Sequence, residues 1–139
     1  MDKEYISHSE AETEEIGASI ASEITVPAFI ALYGEMGSGK TAFMRGFVGR
    51  LVPAARVSSP TYAILNVYAD ENCTVNHFDL YRITSPEDLD SIGFEEICEE
   101  GISVCEWAEN IPFALPEHYI RISFEKTGIN DRKIRMERI

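Results

Sequence analysis

The chain has 139 residues, a formal net charge of −12 and 45% apolar residues, including 7 Phe, 6 Tyr and 1 Trp. That excludes a disordered acidic tail, which lacks aromatics for a core, and 3 Cys are too few and odd in number for a disulfide scaffold. No stretch approaches the ~18 apolar residues of a membrane span, and Met1-Asp2-Lys3-Glu4-Tyr5 lacks the layout of a secretion signal, so one reduced, cytoplasmic domain over residues 1–139 is expected.

Glu4–Ser7 reads as a short strand. Ser9-Glu10-Ala11-Glu12 has the S-x-x-E pattern of a capping box, and Ile16, Ile20 and Ile24 follow at four-residue spacing. An amphipathic helix is therefore expected over 10–23, stopped before Pro27. Ala28–Tyr33 is an unbroken apolar run, short enough for a strand buried on both faces. A glycine-rich turn follows, then a helix from Lys40 that fades near Leu51, ahead of Pro53. Tyr62–Tyr68 and Cys73–Phe78 pattern as a hairpin around Ala69-Asp70-Glu71-Asn72. Ser85-Pro86 opens a short acidic helix to Ser91, and Phe94–Glu99 forms another. Ile102–Cys105 is a further strand, and His118–Glu125 with Arg132–Arg138 make a closing hairpin, Ile120, Ile122 and Phe124 sharing a face. Helices alternate with strands and then strands accumulate. The pattern predicts a three-layer α/β domain with a mixed, partly antiparallel central sheet.

Gly34-Glu35-Met36-Gly37-Ser38-Gly39-Lys40-Thr41 matches G-x-x-x-x-G-K-[ST]. Average composition gives a chance match in about 0.5% of chains this long, and here the motif also follows a buried strand and opens a helix. Glycines let successive backbone N–H groups point into one concavity, and the helix aims its positive end at the same place. Met36, Gly37, Ser38 and Gly39 would offer backbone amides, Lys40 a charge for the outer phosphates, and the Thr41 hydroxyl a ligand for Mg²⁺. The fold class becomes a P-loop nucleotide-binding domain. Such sites usually use an acid at the end of another apolar strand. Glu106, after Ile102–Cys105, and Asp79, after Cys73–Phe78, are the candidates.

With Gly34–Thr41, three further blocks carry a resemblance: Ser59-Pro60-Thr61-Tyr62, His77-Phe78-Asp79-Leu80-Tyr81-Arg82 and Glu106-Trp107. In order and spacing, over nearly the full length, the chain resembles the TsaE (formerly YjeE) family, a bacterial P-loop ATPase of threonylcarbamoyladenosine synthesis in tRNA. The resemblance implies ATP and ADP binding with Mg²⁺, weak hydrolysis alone, and action with a TsaB–TsaD pair. Carried over, Thr41 and Glu106 would be Mg²⁺ ligands, directly or through water, and Asp79 an acid needed for activity. Ser59, Pro60, Thr61 and Tyr62 would form a switch-like segment, Trp107 the family's Trp beside the metal acid, and Arg132 a residue close to nucleotide. The family commonly has Pro after Glu-Trp, where this chain has Ala108.

His77 reads as packed or hydrogen-bonded, His8 and His118 as surface groups, and Cys73, Cys98 and Cys105 as small buried apolar residues. Charge is uneven: residues 83–120 hold 10 acids and no Lys or Arg, whereas 34–82 and 121–139 are slightly basic. An acidic body argues against DNA binding, and tRNA is expected only through partners. Two other functions fit the loop. A nucleotide-gated partner-binding module would scarcely hydrolyse ATP, and a small kinase would need Arg residues in a lid, which 83–120 lacks. No N-K-x-D guanine-reading motif is present.

Overall fold

The structure is a computed structural model, and it describes residues 2–57 and 64–139. Seven strands form one sheet: β1 (Lys3–Ser7), β2 (Ala28–Tyr33), β3 (Leu65–Ala69), β4 (Thr74–Asp79), β5 (Ile102–Glu106), β6 (Ile120–Lys126) and β7 (Arg132–Arg138). Their order is β1-β7-β6-β2-β5-β4-β3. Strands β6, β2, β5 and β4 run parallel at the centre, and the antiparallel pairs lie towards the two edges. The helices are α1 (Glu10–Ala21), α2 (Lys40–Leu51), α3 (Pro86–Ser91) and α4 (Phe94–Cys98). Among the described residues no helix is long and apolar enough to cross a membrane.

Strand parity divides the core in two. Ile30 and Leu32 of β2, Val104 of β5, Ile122 of β6 and Val75 of β4 pack with Phe43, Phe47 and Val48 of α2 and Ile20 of α1. Ala31, Phe78 and Cys105 point the opposite way, to Leu89 of α3 and Phe94 of α4. Helices thus cover both faces, and β2 sits at the centre with apolar residues on each side, as its unbroken run predicts. Phe43 stacks with Phe47 at 5.8 Å and meets Phe124 edge-on at 5.3 Å, contacts worth about 0.5–1.5 kcal/mol each beyond their burial.

Most expected boundaries hold to within a residue or two. Helix α1 starts as read: the Ser9 hydroxyl accepts from the Glu12 N–H at 3.1 Å. The return bond is displaced, because the Glu12 carboxylate accepts from His8 N–H rather than from Ser9. Of the three cysteines only Cys105 is buried; Cys73 and Cys98 are partly exposed and all three are free. Cys73 sits in the β3–β4 turn and Cys98 at the end of the short helix α4, where the core stops.

Two glycines set how closely α1 and α2 approach. A Cβ on Gly46 would lie 1.8 Å from the Glu14 carbonyl oxygen, and one on Gly17 would lie 2.2 Å from that of Phe43. No rotamer change relieves a clash with backbone. Gly46→Ala is expected to destabilise by about 1–3 kcal/mol despite alanine's better helix propensity. Gly49→Ala, with nothing within 4 Å of its added Cβ, is expected to stabilise by up to about 1 kcal/mol. Thermal unfolding of the pair checks both signs.

Candidate functional site

β2 delivers the chain to Gly34 at the carboxyl end of the central strands, where open α/β sheets place their ligands. The turn needs positive φ at Gly37 (80°) and Gly39 (105°). Gly39 caps α2 without any side chain, so the first-turn N–H groups of α2 stay available at its positive end. Met36 is almost fully exposed, whereas Ser38 is buried with its Oγ unpartnered among the described residues. Lys40 Nζ donates to the Gly34 carbonyl at 2.7 Å and lies 3.8 Å from Glu106 Oε1.

Glu106 is the last residue of β5 and pairs in register with Asp79, the last of β4, and with Leu32 of β2. Paired residues on neighbouring strands point to the same face. Glu106, Asp79 and, two residues before it, His77 therefore share the face that carries the glycine turn. His77 Nε2 lies 2.6 Å from Glu106 Oε2. Burial alone would push the Glu106 carboxyl up; the His77 hydrogen bond and the nearby Lys40 charge outweigh it and hold the group below the ordinary carboxylate range. Asp79 Oδ1 accepts from the Tyr81 N–H at 3.1 Å.

These groups open onto a cleft of about 1180 Å³ lined by Met36, Gly37, Gly39, Lys40, Thr41, Asp79, Glu106, Trp107 and Arg132, ample for a nucleotide. Arg132 Nη2 donates to the Gly37 carbonyl at 3.0 Å, and its Nη1 to the Asp131 carbonyl at 2.9 Å. The guanidinium thus ties the β6–β7 turn to the glycine turn. Trp107 has φ 62°, the one positive value among described non-glycine residues, and its ring meets Tyr81 edge-on at 4.9 Å. Such strain in a bulky residue gathers at functional sites. Ala108 then begins a 3-10 turn (Ala108–Asn110), a first position that Pro also suits.

The donors fit Mg²⁺ with a nucleotide. Mg²⁺ takes hard oxygens and is usually held by one or two carboxylates with phosphates and water; here Glu106, Asp79 and the Thr41 hydroxyl line one cleft. Met36, Gly37, Gly39, Lys40, Thr41, Asp79, Glu106, Trp107 and Arg132 are thus brought together; Ser38 is not, because it is buried beneath the turn and its N–H donates to the Glu35 carbonyl at 3.1 Å. Ser59, Pro60, Thr61 and Tyr62 lie outside the described residues. Missed from sequence were the Ser9, Glu10, Thr13 and Arg45 wall of the cleft and the identity of the His77 partner. Nothing in the spacing pointed to the first. Strand register, once known, gives the second.

One wall is pinned by His8, whose Nδ1 lies 2.9 Å from Asp131 Oδ1. That hydrogen bond, with the charges of Asp131 and Glu12, raises the His8 pKa above its ordinary 6.5. A raised histidine stabilises the fold fully below its unfolded value and loses the effect as pH rises through the folded one. His8→Ala should therefore lower the melting temperature more at about pH 5.5 than at about pH 8. The exposed pair makes the difference small, and melting curves at both pH values check its sign.

A glycine turn leaving the central parallel strand, a lysine at the helix start and an acid ending the adjacent strand define a P-loop NTPase-like α/β protein. The solved structure of Bacillus subtilis YdiB matches with a TM-score of 0.80 at 26% identity, over 98% of this chain and 84% of that one. The family model "Threonylcarbamoyl adenosine biosynthesis protein TsaE" matches residues 7–134, and the chain belongs to the TsaE family. Similar relatives named "tRNA threonylcarbamoyladenosine biosynthesis protein TsaE" include one from Treponema pallidum, 33% identical over 93% of this chain and 96% of the relative. Another, from Rickettsia felis, is 32% identical over 91% and 75%.

Proposed function

We propose that this chain is a Mg²⁺-dependent ATPase subunit for threonylcarbamoyladenosine modification of tRNA, a single cytoplasmic P-loop domain acting with a TsaB–TsaD pair and meeting tRNA only through that complex. The observation that carries the reading is Lys40 held between the Gly34 carbonyl and Glu106 at the floor of the cleft. Backbone amides of 36, 37 and 39–41 would bind the phosphates, the Ser38 N–H being given to the Glu35 carbonyl, and Lys40 would neutralise charge developing on the terminal one. Mg²⁺, when bound, supplies further charge neutralisation on the phosphate oxygens. Thr41 and Glu106 would hold it. Asp79 would orient the attacking water, and Arg132 would keep the turn in shape through Gly37 and sit beside the nucleotide. Water then attacks the terminal phosphorus, the bond from it to the ADP oxygen breaks, and ADP and inorganic phosphate leave.

The test is phosphate release from ATP with and without the TsaB–TsaD pair. Turnover that rises with the pair supports the reading. Nucleotide-dependent capture of the pair without turnover would favour a nucleotide-gated module, and phosphate appearing on an acceptor would favour a kinase.

A further inference from the structure

His77 is 2% exposed, lies on β4 two residues before Asp79, and reaches across to Glu106 on β5. We infer that His77 is the positioning residue of the strand-end acid: its Nε2–H donates to Glu106 Oε2 and fixes the carboxylate so that Oε1 faces Lys40 and the cleft. The inference rests on the reading of Glu106 as the acid that holds Mg²⁺.

Three observations carry it. The contact is short, 2.6 Å, as expected for a hydrogen bond to an ionised acceptor. His77 Nδ1 is buried with no hydrogen-bond partner among the described residues. An N–H there would be an unsatisfied buried donor, which is unfavourable, so the tautomer with hydrogen on Nε2 and a bare Nδ1 is the cheaper one. Finally, Oε1 rather than Oε2 is the oxygen 3.8 Å from Lys40 Nζ. A carboxylate at a strand end turns freely about its last bond unless one oxygen is tethered. His77 tethers one and leaves the other for the cleft. It works as a fixed donor and needs no change of protonation. Ligand-orienting partners of this kind typically carry 10–100-fold in metal affinity.

The substitutions that decide the matter are His77→Gln and His77→Asn. Gln places its amide nitrogen where Nε2 stands, whereas Asn reaches only the Nδ1 position. ADP affinity is measured by calorimetry in excess Mg²⁺ and in EDTA, with melting temperature recorded for each protein. Wild type should bind ADP more tightly with Mg²⁺. His77→Asn should lose about 10-fold or more of that gain with its EDTA affinity unchanged, and His77→Gln should keep most of it. A folded Asn variant with the full Mg²⁺ gain, or a Gln variant as impaired as Asn, overturns the inference. Equal losses in EDTA and Mg²⁺ also overturn it, because they mark a merely structural role. If the Asn variant does not fold, two-bond ¹H–¹⁵N correlations of wild-type His77 decide: hydrogen on Nε2 supports the assignment and hydrogen on Nδ1 overturns it. A wild type without any Mg²⁺ gain sinks the reading of Glu106 itself, which separates the two failures.

Discussion

Replacing Lys40 by alanine is expected to weaken ADP and ATP binding by about 100-fold or more, read by titration calorimetry. The ammonium lies at the floor of the cleft on a side chain that is 12% exposed, within reach of the loop and the strand-end acid together. Each charge-assisted hydrogen bond it gives to phosphate is worth about 1.5–3 kcal/mol, or roughly 10- to 150-fold. The rest of the molecule does not compensate, because its net charge is −12 and distant charges are screened over about 8 Å. Glu106 keeps its His77 hydrogen bond in the variant, so the fold should survive with a nearly unchanged melting temperature. Lys40→Arg keeps the charge on a longer, forked group and should recover only part of the affinity. Unchanged affinity in Lys40→Ala would remove the cleft as the nucleotide site.

What the sequence made legible follows from the range of each interaction. The limits of α2 and β2 could be read because local signals agree there: an apolar run, three glycines, a lysine and, past the helix end, Pro53, all in contiguous order. The Ser85-Pro86 helix start was equally local, and the Ser85 hydroxyl does cap Asp88 N–H at 3.1 Å. Asp79 and Glu106 were readable as strand-end acids, but not as register partners. Pairing of β4 with β5 depends on contacts between residues 27 positions apart, and no local pattern encodes it. The same gap hid His77, since its partner stands on another strand. The α1 wall was hidden for a further reason. Ser9 and Glu10 looked like a helix start and nothing more; only the close approach allowed by Gly17 and Gly46 turns that helix start towards the glycine turn.

The two acids make different demands, and this sets what happens when Glu106 is replaced by glutamine. The substitution keeps the volume and an oxygen that can accept from His77, so folding should be retained, and it removes one negative charge facing the phosphates. In EDTA, ADP should bind Glu106→Gln as tightly as wild type or more tightly, because a buried carboxylate close to phosphate is repulsive. In Mg²⁺ the order should reverse. A neutral amide is a poor partner for a hard cation, and ATP hydrolysis with the TsaB–TsaD pair should fall by at least about 100-fold. Asp79→Asn should keep the Mg²⁺-dependent gain in ADP affinity while losing turnover, if Asp79 serves the attacking water rather than the metal. Calorimetry with and without Mg²⁺, beside phosphate release, reads all of this. Wild-type turnover in Glu106→Gln would strip Glu106 of its role. A lost Mg²⁺ gain in Asp79→Asn would instead move the metal to the end of β4.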